Sequence, residues 1–219
     1  MALPVSRKKL EVGSYIVREA DKAYSCCVLL SGFAYRHKIV RNGARQIVSV
    51  HIPGDMVDLH NSFLGTADHN VQMLTAGDVA LIPARAIQEI AYLHPAIGRA
   101  MLLDTLVDGS IFREWIANVG RRDARSRVAH LLCEFAVRLQ ATGENMARNY
   151  HLPMTQEQLA DATGLTPVHV NRTIQSLRHD GLISTDKRSV MIEDWAGLVR
   201  TGDFNTAYLH LEGAEGRSY

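Results

Sequence analysis

Residues 155–183 constrain this chain more than any other stretch. Thr155-Gln156-Glu157-Gln158 is a capping box: a Thr hydroxyl serves a free amide at a helix start, and a Gln three residues on reaches back. The helix it opens carries Leu159 and Ala160 and is short, because Gly164 can supply the left-handed turn that ends it. Leu165 then returns to the core. Thr166 is a second N-cap, and Pro167 fits the first position of a second helix, where no amide is needed. With Val170, Ile174 and Leu177 inward, helical periodicity turns Val168, His169, Asn171, Arg172, Gln175 and Arg178 outward. Gly181-Leu182-Ile183 ends that helix. Ile183-Ser184-Thr185 and Val190-Met191-Ile192 read as a β-hairpin around Asp186-Lys187-Arg188-Ser189. Short helix, glycine turn, second helix and basic β-wing make a winged helix-turn-helix.

Such a motif suits double-stranded DNA. The N-terminal half of its second helix can enter the major groove. Arg172 can give two hydrogen bonds to a guanine there, and Asn171 can do the same to an adenine. Val168, His169 and Gln175 share that face. Thr155, Gln156, Thr166, Lys187 and Arg188 are placed to touch phosphates and fix register. The plainer alternative is a helical hairpin with a solvated Arg/His face, but caps, turn, outward Arg and wing arrive in order. Bulk charge gives no help. Lys+Arg 24 against Asp+Glu 23 leaves +1, so any grip on DNA comes from a local patch.

The first third reads as strands. Ser14 to Arg18 is short and β-rich, and Val28-Leu29-Leu30 ends at Ser31-Gly32. Phe33 to Val40 and Arg45 to Ile52 flank Arg41-Asn42-Gly43-Ala44, a strong hairpin signal. Pro53-Gly54-Asp55 and Ala76-Gly77-Asp78 punctuate further, the latter before Val79-Ala80-Leu81-Ile82. Short strands broken by Gly-rich turns predict a small barrel or roll. Helical pattern begins at Pro83-Ala84-Arg85 and resumes after His94-Pro95, uninterrupted to about Asn118. Leu102, Thr105, Gly109, Phe112, Ile116 and Val119 fall at three- and four-residue spacing, one seam of a coiled-coil-like helix. Leu106 adds to its apolar surface. Such a helix packs on its own roll and on a second subunit, or else lies buried within a monomer; Thr105 and Gly109 on the seam favour the dimer. Gly120-Arg121-Arg122-Asp123 marks a boundary, and Asp123 caps a helix through Arg138 with Val128, Leu131, Leu132, Phe135 and Leu139 on one face. Ala141 to Tyr150 reads as a polar loop.

The whole chain resembles regulators of the CRP/FNR type. The motifs Gln158-Leu159-Ala160-Asp161, Gly164-Leu165-Thr166, Val170-Asn171-Arg172 and Leu182-Ile183 follow that family's pattern, and Gly32, Gly54-Asp55 and Gly77-Asp78 match its roll turns. The resemblance is strongest over 121–192. It implies an α+β fold: an N-terminal β-roll of double-stranded β-helix or jelly-roll type over 1–93, a dimerisation helix over 94–119, and a winged helix-turn-helix over 120–219. It implies a homodimer on a palindromic operator, with RNA polymerase as a further partner, and no enzyme activity. No nucleophile–base pair, phosphate loop or paired carboxylates speak against that.

The departures are as informative. Cyclic-nucleotide members hold ribose and phosphate with a Gly-Glu-Leu run and an Arg-Ser pair. The matching places here are Val57-Asp58-Leu59 and Asn70-Val71, and the base-reading Thr-Ser pair falls near Phe112-Arg113. A cyclic phosphate without its Arg is poorly held, so no response to cyclic AMP is expected. An iron–sulfur cluster wants four Cys ligands; this chain has Cys26, Cys27 and Cys133. On the recognition helix, Pro167 and Val168 replace an Arg and an acidic residue of many members, which implies a different target site. The family's first helix is expected to be missing or truncated.

Other chemistry stays open as an alternative: a ligand-, haem- or redox-gated sensor whose effector fills the roll. His37, His51, His60 and His69 invite haem or metal, but no pair has a recognised ligand spacing. Solvated or core histidines, with no metal and no cofactor, are the expectation. Cys26-Cys27 could sense redox only if exposed with a lowered pKa; their β-rich context favours a buried thiol. Arg36-His37-Lys38, Arg41 and Arg45 read as a solvated basic face, or as a seat for an anionic effector. Three Cys form no disulfide framework, no apolar run reaches the roughly 18 residues of a membrane span, and Met1 to Lys9 lacks a signal peptide's apolar core. A cytoplasmic setting follows as the expectation.

Overall fold

The computed structural model describes residues 3–141, 149–186 and 189–211. The chain divides into two compact units, Met1–Gly109 and Ser110–Tyr219.

The first unit holds β1 (Ser6–Leu10), β2 (Tyr15–Val17), β3 (Ser25–Leu29), β4 (Ala34–Ile39), β5 (Arg45–His51), β6 (Met56–Val57), α1 (Asn61–Leu64), β7 (Asn70–Met73), β8 (Gly77–Pro83) and α2 (Ala84–Leu93). The strands form two antiparallel four-stranded sheets, ordered β1-β8-β3-β6 and β2-β7-β4-β5. Their inner faces share one core: Leu10, Cys27, Leu29, Val57 and Val79 meet Ala34, Val71 and Met73. Cys26 faces the other way, into Leu59, Ile82, Ala86 and Ile87, so β3 is covered on both sides. That is why two adjacent cysteines are both buried. The β4–β5 turn puts Gly43 at φ +83, as the Asn-Gly signal requires.

The basic face expected on this hairpin is corrected at Arg36 and His37, while Arg41 is exposed and Lys38 and Arg45 are partly so. Arg36 is 2% and His37 1% exposed. The β4–β5 register shifts between these two residues, a bulge that re-aims side chains. Arg36 Nη1 donates to Asp108 Oδ2 at 2.9 Å. A residue read as solvated is thus a buried half of an ion pair. The segment Ser6–Leu10, in which no strand is expected, pairs along β8.

A long helix, α3 (Pro95–Arg121), follows, then α4 (Ala124–Ala141), β9 (Asn149–His151), α5 (Gln156–Thr163), α6 (Pro167–His179), β10 (Ile183–Asp186), β11 (Ser189–Ile192), α7 (Trp195–Gly202) and a 3-10 turn at Thr206–Leu209. Sequence patterning puts boundaries at 93/94 and 119/120. The contact division falls inside α3 instead, at Gly109/Ser110. The reason is packing: Met101 joins the roll's second cluster, whereas Trp115 bonds to Glu134 of α4. In the second unit α4 is central, packing against α5, α6 and α7. Its Val128, Leu131, Leu132, Phe135 and Leu139 are all buried. Asp123 accepts from the Ser126 amide at 2.8 Å, the expected N-cap.

The reading of 141–150 as loop is also corrected at its end. Residues 142–148 lie outside the described ones, but Asn149–His151 is a strand paired with β11. Tyr150 is in the core, where its hydroxyl donates to the Leu132 carbonyl at 2.8 Å.

Candidate nucleic-acid interface

The helix-turn-helix is assembled by its caps. Thr155 Oγ1 accepts from the Gln158 amide at 3.2 Å, and Gln158 Oε1 accepts from the Thr155 amide at 2.8 Å. Gly164 ends α5 in the left-handed region, φ +65 and ψ +35, where a side chain would be strained. Thr166 Oγ1 accepts from the His169 amide at 3.2 Å, with Pro167 leading α6. Each Thr hydroxyl spends a lone pair on its cap and keeps its proton to donate outward.

The face of α6 that turns inward carries Val170, Thr173 and Leu177; Ile174 is half-buried. Thr173 is a core position that polarity hides in the sequence. The outer face carries Val168, His169, Arg172 and Gln175, all exposed, with Asn171 half-buried beside them. Thr155, Gln156 and Thr166 are exposed at the two helix starts. Lys187 and Arg188 lie outside the described residues. The wing strands pair Ile183↔Ile192 through Asp186↔Ser189, and β9 completes a three-stranded sheet.

Arg125 of α4 fixes the angle of α6 by gripping Ser176 and Asp180, each at 2.5 Å. Arg127 ties α4 to the end of α5 through the Thr163 carbonyl at 3.1 Å. These positioning arginines have no local sequence signal. An open groove of about 630 Å³ beside α6 is lined by Asp123, Arg125, Thr166, Val168, His169 and Arg172, among others. Arg172 has no hydrogen-bond or ion-pair partner among the described residues. Its guanidinium is therefore available to an incoming acceptor.

Family comparison agrees with this geometry. A Crp-like helix-turn-helix domain matches residues 126–201, and a cyclic nucleotide-binding domain matches 7–92. The transcriptional activator protein FnrL of Cereibacter sphaeroides is 29% identical over 196 residues, 88% of this chain and 78% of that protein. The chain belongs to the CRP/FNR family of transcription regulators. The anaerobic regulatory protein of Haemophilus influenzae is 25% identical to this CRP/FNR regulator over 94% of this chain and 80% of its own length. Among solved structures, FixK2 from Bradyrhizobium japonicum superposes with a TM-score of 0.84 at 22% identity, covering 91% of this chain and 98% of that one. Like its family, this CRP/FNR chain is a regulator with a DNA-binding domain and not an enzyme.

The seam residues on α3 divide by exposure. Leu102, Thr105, Leu106 and Ile116 are exposed; Gly109 and Phe112 are half-buried. Among the described residues no helix is long and apolar enough to cross a membrane. Burial pushes the thiols of Cys26 and Cys27 in the roll up to about 12, as it does that of Cys133 in the second unit, which disfavours a thiolate at each. The four roll histidines are not scattered. His37 and His51 are buried, while His60 and His69 converge on Asp58. Their separation in sequence fits no ligand-spacing rule, so only the fold reveals the group.

Proposed function

We propose that this regulator reads an inverted-repeat DNA site as a homodimer and does not respond to cyclic AMP. The observation that carries the reading is Arg172, exposed and unengaged on a helix whose opposite face is locked into a core. Val168, His169, Asn171, Arg172 and Gln175 meet base edges in the major groove, with Arg172 on a guanine. Thr155, Gln156, Thr166, Lys187 and Arg188 meet phosphates. The dimer forms along α3 through Leu102, Thr105, Leu106, Gly109, Phe112 and Ile116. Exposed Leu102, Leu106 and Ile116 on one helix support that seam, since an apolar stripe in water seeks a partner. RNA polymerase is the further partner and the cytoplasm the compartment in this reading.

The roll supports indifference to cyclic AMP. At the phosphate-holding places stand Asn70, whose Oδ1 accepts from the Glu19 amide at 3.1 Å, and Val71, fully buried. Neither offers a cyclic phosphate a cation.

Selection of binding sites from random duplexes tests the reading. The expected product is an inverted repeat with half-sites about 34 Å apart, one helical turn. No enrichment, or an asymmetric single half-site, overturns it. Calorimetry with millimolar cyclic AMP should give no heat, and micromolar binding would contradict that part.

A further inference from the structure

We propose that the roll binds a divalent transition-metal ion through Asp58, His60 and His69. All three lie between β6 and β7: Asp58 follows β6, His60 precedes α1 and His69 precedes β7. Their ligand atoms lie within 4.8 Å of one another. His69 Nε2 is 2.9 Å and His60 Nε2 3.4 Å from the same atom, Asp58 Oδ1. Neighbouring ligands of a tetrahedral zinc ion, with bonds of about 2.0–2.1 Å, stand about 3.4 Å apart. The cluster is thus close to the size of a metal shell.

The polar atoms are oriented for a ligand they do not find in each other. Asp58 is 2% and His69 5% exposed. Asp58 Oδ1 and His69 Nε2 approach to 2.9 Å, and His60 Nε2 stands 3.4 Å from the same oxygen, yet neither buried atom is satisfied by a hydrogen bond. An unsatisfied buried carboxylate oxygen is costly. A cation between the three atoms satisfies all of them at once.

The surroundings match those of metal ligands. Asp68 Oδ1 lies 2.6 Å from His69 Nδ1, the geometry in which a carboxylate holds Nδ1–H and leaves the Nε2 lone pair for an ion, the carboxylate–histidine–metal pattern. Asn61 Nδ2 donates to Asp58 Oδ2 at 2.6 Å, which steadies the carboxylate and leaves Oδ1 for the ion. Asp58 holds φ +68, a strained backbone for a non-glycine residue that aims the side chain into the cluster. His60 is partly exposed and gives a route in. Two imidazoles and one carboxylate select zinc, iron, cobalt or nickel over calcium or magnesium. Three protein ligands leave one position open for water or a small molecule. A histidinium clamped between Asp58 and Asp68 is the rival arrangement, but it leaves the approach of His60 to Asp58 unexplained.

The proposal concerns the roll and does not rest on the reading of DNA. The test is titration of the full chain with zinc(II) against a competing chromophoric chelator. One ion per chain at micromolar affinity or tighter is expected. His60→Ala should lose at least about tenfold, and Asp68→Ala, which removes only the support of His69, about 10–100-fold. Both changes are at solvent-accessible residues, and circular dichroism checks that the variants fold. Cobalt(II) should give a spectrum without thiolate charge transfer. Absence of stoichiometric zinc, undiminished binding by the folded variants, or a thiolate band each overturns the site.

Discussion

The indole N–H of Trp115 on α3 donates to the buried carboxylate of Glu134 on α4, 3.1 Å from each oxygen. The Tyr208 hydroxyl donates to the same carboxylate at 2.7 Å, and Arg138 lies 3.5 Å away. One acid therefore joins the end of the long helix to the core of the second unit. Glu134→Ala leaves buried donors and a cation without their acceptor and should cost about 3–5 kcal/mol. Glu134→Gln, which keeps one acceptor oxygen, should cost less. Urea unfolding measures both, and an Ala variant as stable as the wild type contradicts the assignment.

Gly77 opens β8 beneath Ser31. A Cβ built on it would stand 2.1 Å from the Ser31 carbonyl oxygen, and backbone on both sides cannot step aside. Gly77→Ala should destabilise by about 1–3 kcal/mol, the range for overpacking. Gly120→Ala meets open space and, being within a helix, should stabilise by up to about 1 kcal/mol. Thermal unfolding of the two variants should move in opposite directions.

Arg172→Ala should cost about 1–3 kcal/mol in DNA binding and relax preference at one position per half-site. Arg188→Ala should weaken all sequences alike and lower the salt slope by about one unit per monomer. Site selection followed by salt titration separates the two. Full preference kept by the Arg172 variant and lost by the Arg188 variant would refute readout by α6.

On the seam, placing Glu at both Phe112 and Ile116 sets charge against charge in a desolvated interface. Sedimentation should show a wild-type dimer and a folded monomeric variant. A wild type that is monomeric at micromolar concentration removes the seam.

Acid should destabilise the chain through His51 and His130. Burial lowers the pKa of each; Asp55 only partly offsets it for His51, and Arg122 adds to it for His130. The folded chain then binds these protons less readily than the unfolded chain, whose histidines titrate near 6.5. Stability is full above that pH and falls below it, until the lower folded values are reached. The slope is up to about 1.4 kcal/mol per pH unit for each histidine. Urea midpoints between pH 7.5 and 5 measure it, at about those bounds, and His51→Gln should flatten the curve.

The helix-turn-helix was legible because its signals are local. Thr155 and Gln158, Thr166 and His169, and Gly164 after α5 act within one helical turn, so spacing alone locates them. The same holds for the Asn42-Gly43 hairpin and the Asp123 cap. Their partners lie within a few residues along the chain.

Burial and convergence were decided elsewhere. Arg36 looks solvated in its hairpin, yet it pairs with Asp108, 72 residues on. Tyr150 looks like loop until β11 pairs with it. His60 and His69 show no ligand spacing until the turn after β6 and the approach to β7 bring them to Asp58. By itself the sequence determined where the two helices of the helix-turn-helix start and where the first of them ends, since caps and turns engage near neighbours along the chain. Only the tertiary structure decided which charges are buried and which ligand atoms meet, because those are set by strand pairing and packing between residues that are far apart along the chain.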